Sequence, residues 1–383
     1  MNIFFWCPFI SEVATIKTVI NSMKSIKHYS KNNNLKLNLI NAFGEWDSKE
    51  NIINKLEVNL INFDKIKFDK LLPKYGYFAS RTRYLIIFMK SFFKLHSILK
   101  DKNTHYLFCF LVTSLPLILI LLFNYNSKVI LRISGFPKLN IFRLMLWKLT
   151  KNKIYLVTCP TVETLEKIKK LNIFDPSKLI FLPEPVITLS DYRENKFDML
   201  DIENFNKNNS IVAIGRLTRQ KNFKFLVKSL QNILLKYKNL NLFIIGDGEE
   251  KEEIVKLIEK LNLKNRVFLL GYKKNVFPYL RECKCFVLSS LWEDPGYVLI
   301  EAAFSNATII SSNCPNGPKS ILQDGKAGFL FKNNSESDLF KKFEEFFNSK
   351  SEDVFKKKNN AKRGIKIYTN FHHYKTIKNY LQV

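Results

Sequence analysis

An alternation constrains this chain more than any other feature: short apolar runs recur along it, separated by stretches with a helical period. Asn2–Trp6, Lys36–Ile40, Tyr106–Val112, Val129–Ile133 and Ile154–Val157 are rich in β-forming residues and nearly continuous in apolar character. Runs of that kind read as strands buried on both faces, and helices between them make the sheet parallel. A polar, aperiodic stretch, Ile187–Ser210, reads as a linker. After it the pattern restarts with strand Ile211–Ile214, helix Phe223–Lys236, strand Leu242–Ile245 and helix Glu250–Leu261. Strands Val267–Leu269 and Cys285–Leu288 follow, then a helix from Gly296 to Ser305 and strand Thr308–Ser311. A chain of 383 residues exceeds what one core usually holds. Two Rossmann-like α/β domains are therefore expected, over 1–190 and 205–365. Residues 366–383 are read as a closing helix that crosses back to the first domain. Such sheets bind ligands beyond the carboxyl ends of their strands, here in a cleft between the domains.

Charge adds a partner class. Lys and Arg number 61 against 34 Asp and Glu, a net charge of +27. That excess implies an anionic partner, although a Lys-, Asn-, Ile- and Phe-rich composition accounts for part of it. Nucleic acid would need stacking platforms or a recognised motif, and neither is legible, so no nucleic-acid partner is expected. The six cysteines are Cys7, Cys109, Cys159, Cys283, Cys285 and Cys314, too sparse for a disulfide framework and suited to a reducing cytosol. Cys283 and Cys285 lack a second Cys or His pair, and no metal site is expected.

Two segments raise the membrane question. Tyr106–Phe123 carries no charge and sits at the lower length limit for a span. Pro116 and Thr113-Ser114 interrupt it, so it reads as a strand, an N-cap at Ser114 and a short buried helix over Leu117–Phe123. The second segment, Arg81–Lys102, is helical, with Leu85, Phe88, Phe92, Leu95 and Leu99 on one face and Lys90, Lys94 and Ser97 opposite. It carries six Lys/Arg and one Asp. A core-facing helix with a solvated basic face and a helix on an anionic membrane both fit. In the second reading Arg81, Arg83, Lys90 and Lys94 meet the lipid.

Chemistry concentrates in the second half. Ser289–Glu301 reads SSLWEDPGYVLIE: a strand ends near Ser290, a loop carries Glu293, and Gly296 opens a helix holding Glu301. The N–H groups of Gly296, Tyr297 and Val298 at the helix start suit an anion, while a carboxylate beside them suits sugar hydroxyls. Gly215-Arg216-Leu217 follows strand Ile211–Ile214, with Lys221 just before the next helix. Two cations at the end of one strand suit a diphosphate. Gly246-Asp247-Gly248 directly follows strand Leu242–Ile245 and permits a tight turn.

Taken in order, GRLTRQKN, IIGDGEE, VFLLGYKKNVFPYL, SSLWEDPGYVLIEA and CPNGPKSIL make residues 211–330 resemble the C-terminal half of glycosyltransferase family 4. The resemblance implies the GT-B fold, two Rossmann-like α/β domains facing each other across a cleft. It also implies a retaining, metal-independent transferase with a nucleoside-diphosphate sugar, UDP- or GDP-linked, as co-substrate and no further cofactor. Under it, Arg216 and Lys221 hold the donor diphosphate beside Gly215, and Glu293 holds donor-sugar hydroxyls. Glu301 takes the ribose, and Gly271-Tyr272-Lys273 meets the base. Catalysis would rest on Glu293, Arg216 and Lys221. The chain departs from the family at Pro295, which lacks a backbone donor, and at Ser320. It departs again at Phe9–Thr15, which replaces a Gly-Gly loop, and at Ser134-Gly135, where a histidine is usual. A saccharide or lipid-linked saccharide acceptor, a role in surface polysaccharide or lipopolysaccharide synthesis, and a cytoplasmic location on the inner face of the membrane follow as expectations. An inactive GT-B scaffold is the alternative.

Overall fold

The computed structural model describes residues 1–10, 13–32, 34–63, 77–133, 135, 137, 139–188, 200, 202, 205 and 207–381. The chain divides into two compact units, Met1–Pro185 with Asn370–Val383, and Val186–Thr369.

The first unit runs β1 (Asn2–Trp6), α1 (Ala14–Tyr29), β2 (Lys36–Asn41), α2 (Glu50–Lys55), β3 (Asn59–Asn62), α3 (Tyr77–Lys100) and β4 (Thr104–Cys109). It continues with α4 (Ser114–Leu122), β5 (Lys128–Arg132), α5 (Ile141–Thr150), β6 (Ile154–Cys159), α6 (Val162–Lys170) and β7 (Leu179–Phe181). Among the described residues these strands form one seven-stranded parallel sheet in the order β3-β2-β1-β4-β5-β6-β7. Helices cover both faces, as an all-parallel sheet requires. On one side α3 to α6 supply Leu95, Leu119, Trp147 and Ile168 to a core shared with Trp6 and Leu107. On the other, α1 presents Ile16, Val19, Met23 and Ile26 at helical spacing to Ile3, Phe5 and Phe108.

The second unit runs β8 (Ser210–Ile214), α7 (Phe223–Lys236), β9 (Asn241–Ile245), α8 (Lys251–Lys260), β10 (Val267–Leu269), α9 (Phe277–Glu282) and β11 (Cys285–Leu288). It continues with α10 (Tyr297–Phe304), β12 (Ile309–Ser312), α11 (Pro318–Ile321), β13 (Phe329–Phe331), α12 (Glu336–Asn348) and α13 (Ser351–Gly364). Among the described residues its six parallel strands are ordered β10-β9-β8-β11-β12-β13. The last helix, α14 (Asn370–Leu381), belongs to the first unit. Its Ile377 and Leu381 are buried with Ile3 and Phe5, and Ser25 Oγ of α1 donates to Asn370 O at 2.5 Å.

Several expectations shift. Strand β4 stops at Cys109, three residues early, and Val112 lies at φ 48°, outside the extended range a strand needs. Ser114 is the first helical residue of α4, with Thr113 in the cap position and no side-chain cap bond. The stretch read as a linker opens with buried Ile187, which with the preceding Val186 donates its N–H to Tyr368 O; residues 189–199 lie outside those described. Three short strands, β3, β7 and β13, went unread. On α3, Leu95 and Leu99 are buried and Phe88 and Phe92 pack against the same core, as read, together with Ile87, Ser91 and Arg83; Leu85 is the exception, 59% exposed. Two residues from Ile87 is about 200° around a helix, which turns Leu85 away from the sheet.

Candidate active site

Strand order decides where chemistry can gather. In the second unit the order reverses between β8 and β11, and the loops leaving adjacent strands at such a point line a crevice. The β8 loop carries Gly215, Arg216 and Lys221, and the β11 loop carries Glu293. Lys221 Nζ meets Glu293 Oε1 at 2.6 Å, with side-chain exposures of 14% and 5%. Ser290 Oγ donates to the same carboxylate oxygen at 2.5 Å. A carboxylate so deeply placed needs its cation and hydroxyl, because burial without partners is costly. The ammonium has two more N–H bonds to offer an oxygen ligand.

Backbone contacts lock these loops. Gly215 N donates to Ile245 O, Leu217 N to Asp247 O, and Gly246 N to Gly271 O. A Cβ on Gly246, at φ 146°, would come within 1.8 Å of Gly215 O, so this approach requires glycine. The β11 loop is gripped by residues that sequence reasoning missed. Glu293 N donates to Pro315 O at 3.1 Å, and Asn316 Nδ2 donates to Glu293 O at 3.0 Å. Ser312 Oγ donates to Ser290 O at 2.7 Å, and Gln220 Nε2 to Trp292 O at 2.9 Å. Gly317, at φ 140°, lies so close that a Cβ would be 2.0 Å from Pro295 O. Cys314–Leu322 entered the sequence reading only as part of a family resemblance, with nothing to name the loop it holds.

The remaining predicted residues fall around this pair. Gly296 caps α10 at φ 103°, and the first ladder bonds run from Leu299 N and Ile300 N to Gly296 O. The N–H groups of Gly296, Tyr297 and Val298 therefore precede the ladder and point from the positive end of the helix. Glu301 is buried in the second turn of α10. Arg216, Tyr272 and Lys273 are exposed, and Gly271 takes a left-handed turn at φ 68°. Arg216 is thus near Lys221 in sequence without sharing its buried contact. Burial pushes the Cys314 thiol up to about 12, with Glu293 adding to the rise and Ser312 and Lys221 opposing it. Cys314 is a neutral thiol and no nucleophile. In the first unit, Ser134 and residues 11 and 12 lie outside those described.

Two parallel sheets of this order, with the charged pair at one switch point, define the class, and the two-domain GT-B fold is what solved structures share with it. A crystal structure of Anabaena HepE in complex with UDP superposes with a TM-score of 0.74 over 100% of both chains. At 14% identity that likeness speaks for the fold alone. Residues 195–364 match the family model described as glycosyl transferases group 1. An uncharacterised glycosyltransferase of Methanocaldococcus jannaschii is 49% identical over 111 residues, 29% of this chain and 27% of that protein. A Campylobacter jejuni α-1,4-N-acetyl-D-galactosaminyltransferase, named for a diphospho-undecaprenol-linked saccharide, is 28% identical over 82% of this chain and 81% of its own. The first curated relatives are matched over only 27% to 59% of their length. Together these comparisons support a glycosyltransferase.

Proposed function

We propose that the chain is a retaining, metal-independent member of glycosyltransferase family 4 that takes its sugar from a nucleoside diphosphate, UDP or GDP. The acceptor is a saccharide or lipid-linked saccharide, in surface polysaccharide or lipopolysaccharide assembly at the inner face of the cell membrane. One observation carries the reading: the 2.6 Å contact of Lys221 with Glu293 at the β8/β11 switch point. It sets a cation for a diphosphate beside a carboxylate for sugar hydroxyls.

In this reading Lys221, Arg216 and the α10 N-terminus neutralise charge as the bond from the anomeric carbon to the diphosphate oxygen breaks. The acceptor oxygen bonds the anomeric carbon on the face the diphosphate leaves, and its proton passes to the departing phosphate. Glu293, held by Lys221 and Ser290, accepts hydrogen bonds from the sugar and orients it. Glu301 does the same for the ribose, and Gly271-Tyr272-Lys273 lies along the base. The UDP complex of the structurally similar HepE and the lipid-linked saccharide in the C. jejuni relative's name agree with such a donor and acceptor.

Thermal melts with UDP-, GDP- and CMP-sugars test this. A donor at about a hundred times its dissociation constant stabilises the fold by about 2.7 kcal/mol, a shift of several degrees. Arg216→Ala should shrink the shift without lowering the ligand-free melting temperature, since Arg216 is exposed. No shift with any donor would remove the reading. A shift without transfer to any acceptor would turn it into the inactive scaffold.

A further inference from the structure

The first unit encloses a small cavity whose residues have no role in the donor chemistry. It is walled by the sheet, at the carboxyl ends of β5 and β6, and by helices α1 and α14. Every residue lining it is buried. The cavity leaves about 10 Å³ for the centre of a water molecule, which is room for one and for nothing larger. Its polar wall comes from four places: Ser22 of α1, Arg132 and Thr158 of the strands, Glu184 after β7, and His373 of α14. Ser22 Oγ has no hydrogen-bond partner among the described residues, although Ser22 is only 2% exposed. A buried hydroxyl is costly unless something satisfies it.

Charge selects the occupant. Arg132 Nε donates to Glu184 Oε1 at 2.9 Å, so the two ions of the wall offset each other. His373 Nδ1 lies 3.0 Å from Pro183 O, a carbonyl that only accepts, so Nδ1 carries the hydrogen. Burial holds the His373 pKa below its ordinary value and keeps the ring neutral, which leaves Nε2 an acceptor. A neutral molecule that both donates and accepts suits such a wall better than an ion. We propose that the cavity holds one buried water molecule, bound by Ser22 Oγ, Thr158 Oγ1 and His373 Nε2. It joins α1, β6 and α14 through a single centre. The place matters, because the chain leaves the first unit at Pro185 and returns to it at Asn370. Helix α1 pins both points: Asn21 Nδ2 donates to Pro185 O at 2.6 Å, and Ser25 Oγ donates to Asn370 O. With Ser22 between those two residues in sequence, the water completes the polar layer that holds α14 onto the unit.

A high-resolution crystal structure of the full chain should show one water peak within hydrogen-bonding distance of Ser22 Oγ. Amide hydrogen exchange across α14 reads what that water does, with no sugar nucleotide present. Ser22→Ala and Thr158→Val each delete one hydroxyl, and each should speed exchange along α14 about tenfold. In a dry cavity the sign reverses, because deleting a hydroxyl that lacks a partner would slow exchange. Alanine is also the better helix former, so faster exchange in Ser22→Ala cannot come from the propensity of α1. One water serves both hydroxyls, so the double variant should exchange little faster than either single one. Slower or unchanged exchange in both variants, fully additive losses, or density showing an ion or nothing at the site would overturn the proposal. None of these outcomes depends on the transferase reading.

Discussion

The sheet of the second unit reverses its order between β8 and β11, that of the first between β1 and β4, and the two reversals hold opposite kinds of residue. Beside β8 and β11 sit Lys221, Glu293 and Ser290, joined by short charged hydrogen bonds. Beside β1 and β4 sit Trp6, Phe110 and Val112: Phe110 N donates to Trp6 O, and Trp6 Nε1 donates to Val112 O. Two buried ionisable sites near these strands are closed within the first unit. Arg132 Nε donates to Glu184 Oε1 at 2.9 Å, and Glu45 takes the N–H groups of Ala42 and Phe43 at 3.0 and 2.8 Å. One scaffold thus serves two uses, and loop side chains decide which.

The strongest way to break that comparison is to unpair the buried charges of the second unit. Lys221→Met leaves Glu293 at 5% exposure with only Ser290, and should cost about 3 kcal/mol in chemical unfolding. Adding Glu293→Gln should recover most of that loss. A double-mutant cycle with no coupling would mean the contact is energetically idle.

In the first unit the comparable experiment is one of pH. Burial raises the Glu45 carboxyl from 4.5 to about 7, outweighing the backbone N–H bonds that favour its charged form. The native state keeps this proton where the unfolded chain has released it. Its stabilisation is therefore complete below about pH 4.5 and fades as pH rises to about 7, by about 3 kcal/mol in total. Glu45→Gln should remove that decline. Burial lowers the pKa of His373, so His373 favours the fold with the opposite sign as pH rises toward 6.5. The test is accordingly the difference between native and Glu45→Gln melts, and parallel curves would refute the assignment.

The smallest effect probes the grip on the β11 loop. Gly317→Ala puts a Cβ against Pro295 O at φ 140° and should cost roughly 1–3 kcal/mol. Because Glu293 hangs from Pro315 O and Asn316, the same variant should also weaken stabilisation by UDP. A donor shift kept at full size would separate the clamp from the site.

Much of the fold was legible because buried parallel strands write themselves as apolar runs. Val267–Leu269, Cys285–Leu288 and the helix Phe223–Lys236 sit where the periodicity put them. On α3 the core face was legible at Phe88, Phe92, Leu95 and Leu99 but not at Leu85, because the helix is apolar beyond its core face and periodicity alone could not exclude that position. The clamp of Ser312, Asn316 and Gly317 on the Glu293 loop was equally hidden, since it joins residues about twenty positions apart through backbone groups that every residue carries.

Sequence alone determined the parallel α/β character, the helices and strands from Ile211 to Ser311, and the segments bearing Lys221, Glu293 and Glu301, because burial period and turn residues are local properties of a chain. Tertiary structure decided that Lys221 and Glu293 form one buried pair while Arg216 stays exposed, and that α3 and α5 turn apolar stripes outward. Strand order brings Lys221 and Glu293 together across 72 residues of separation, and no local signal encodes that neighbourhood.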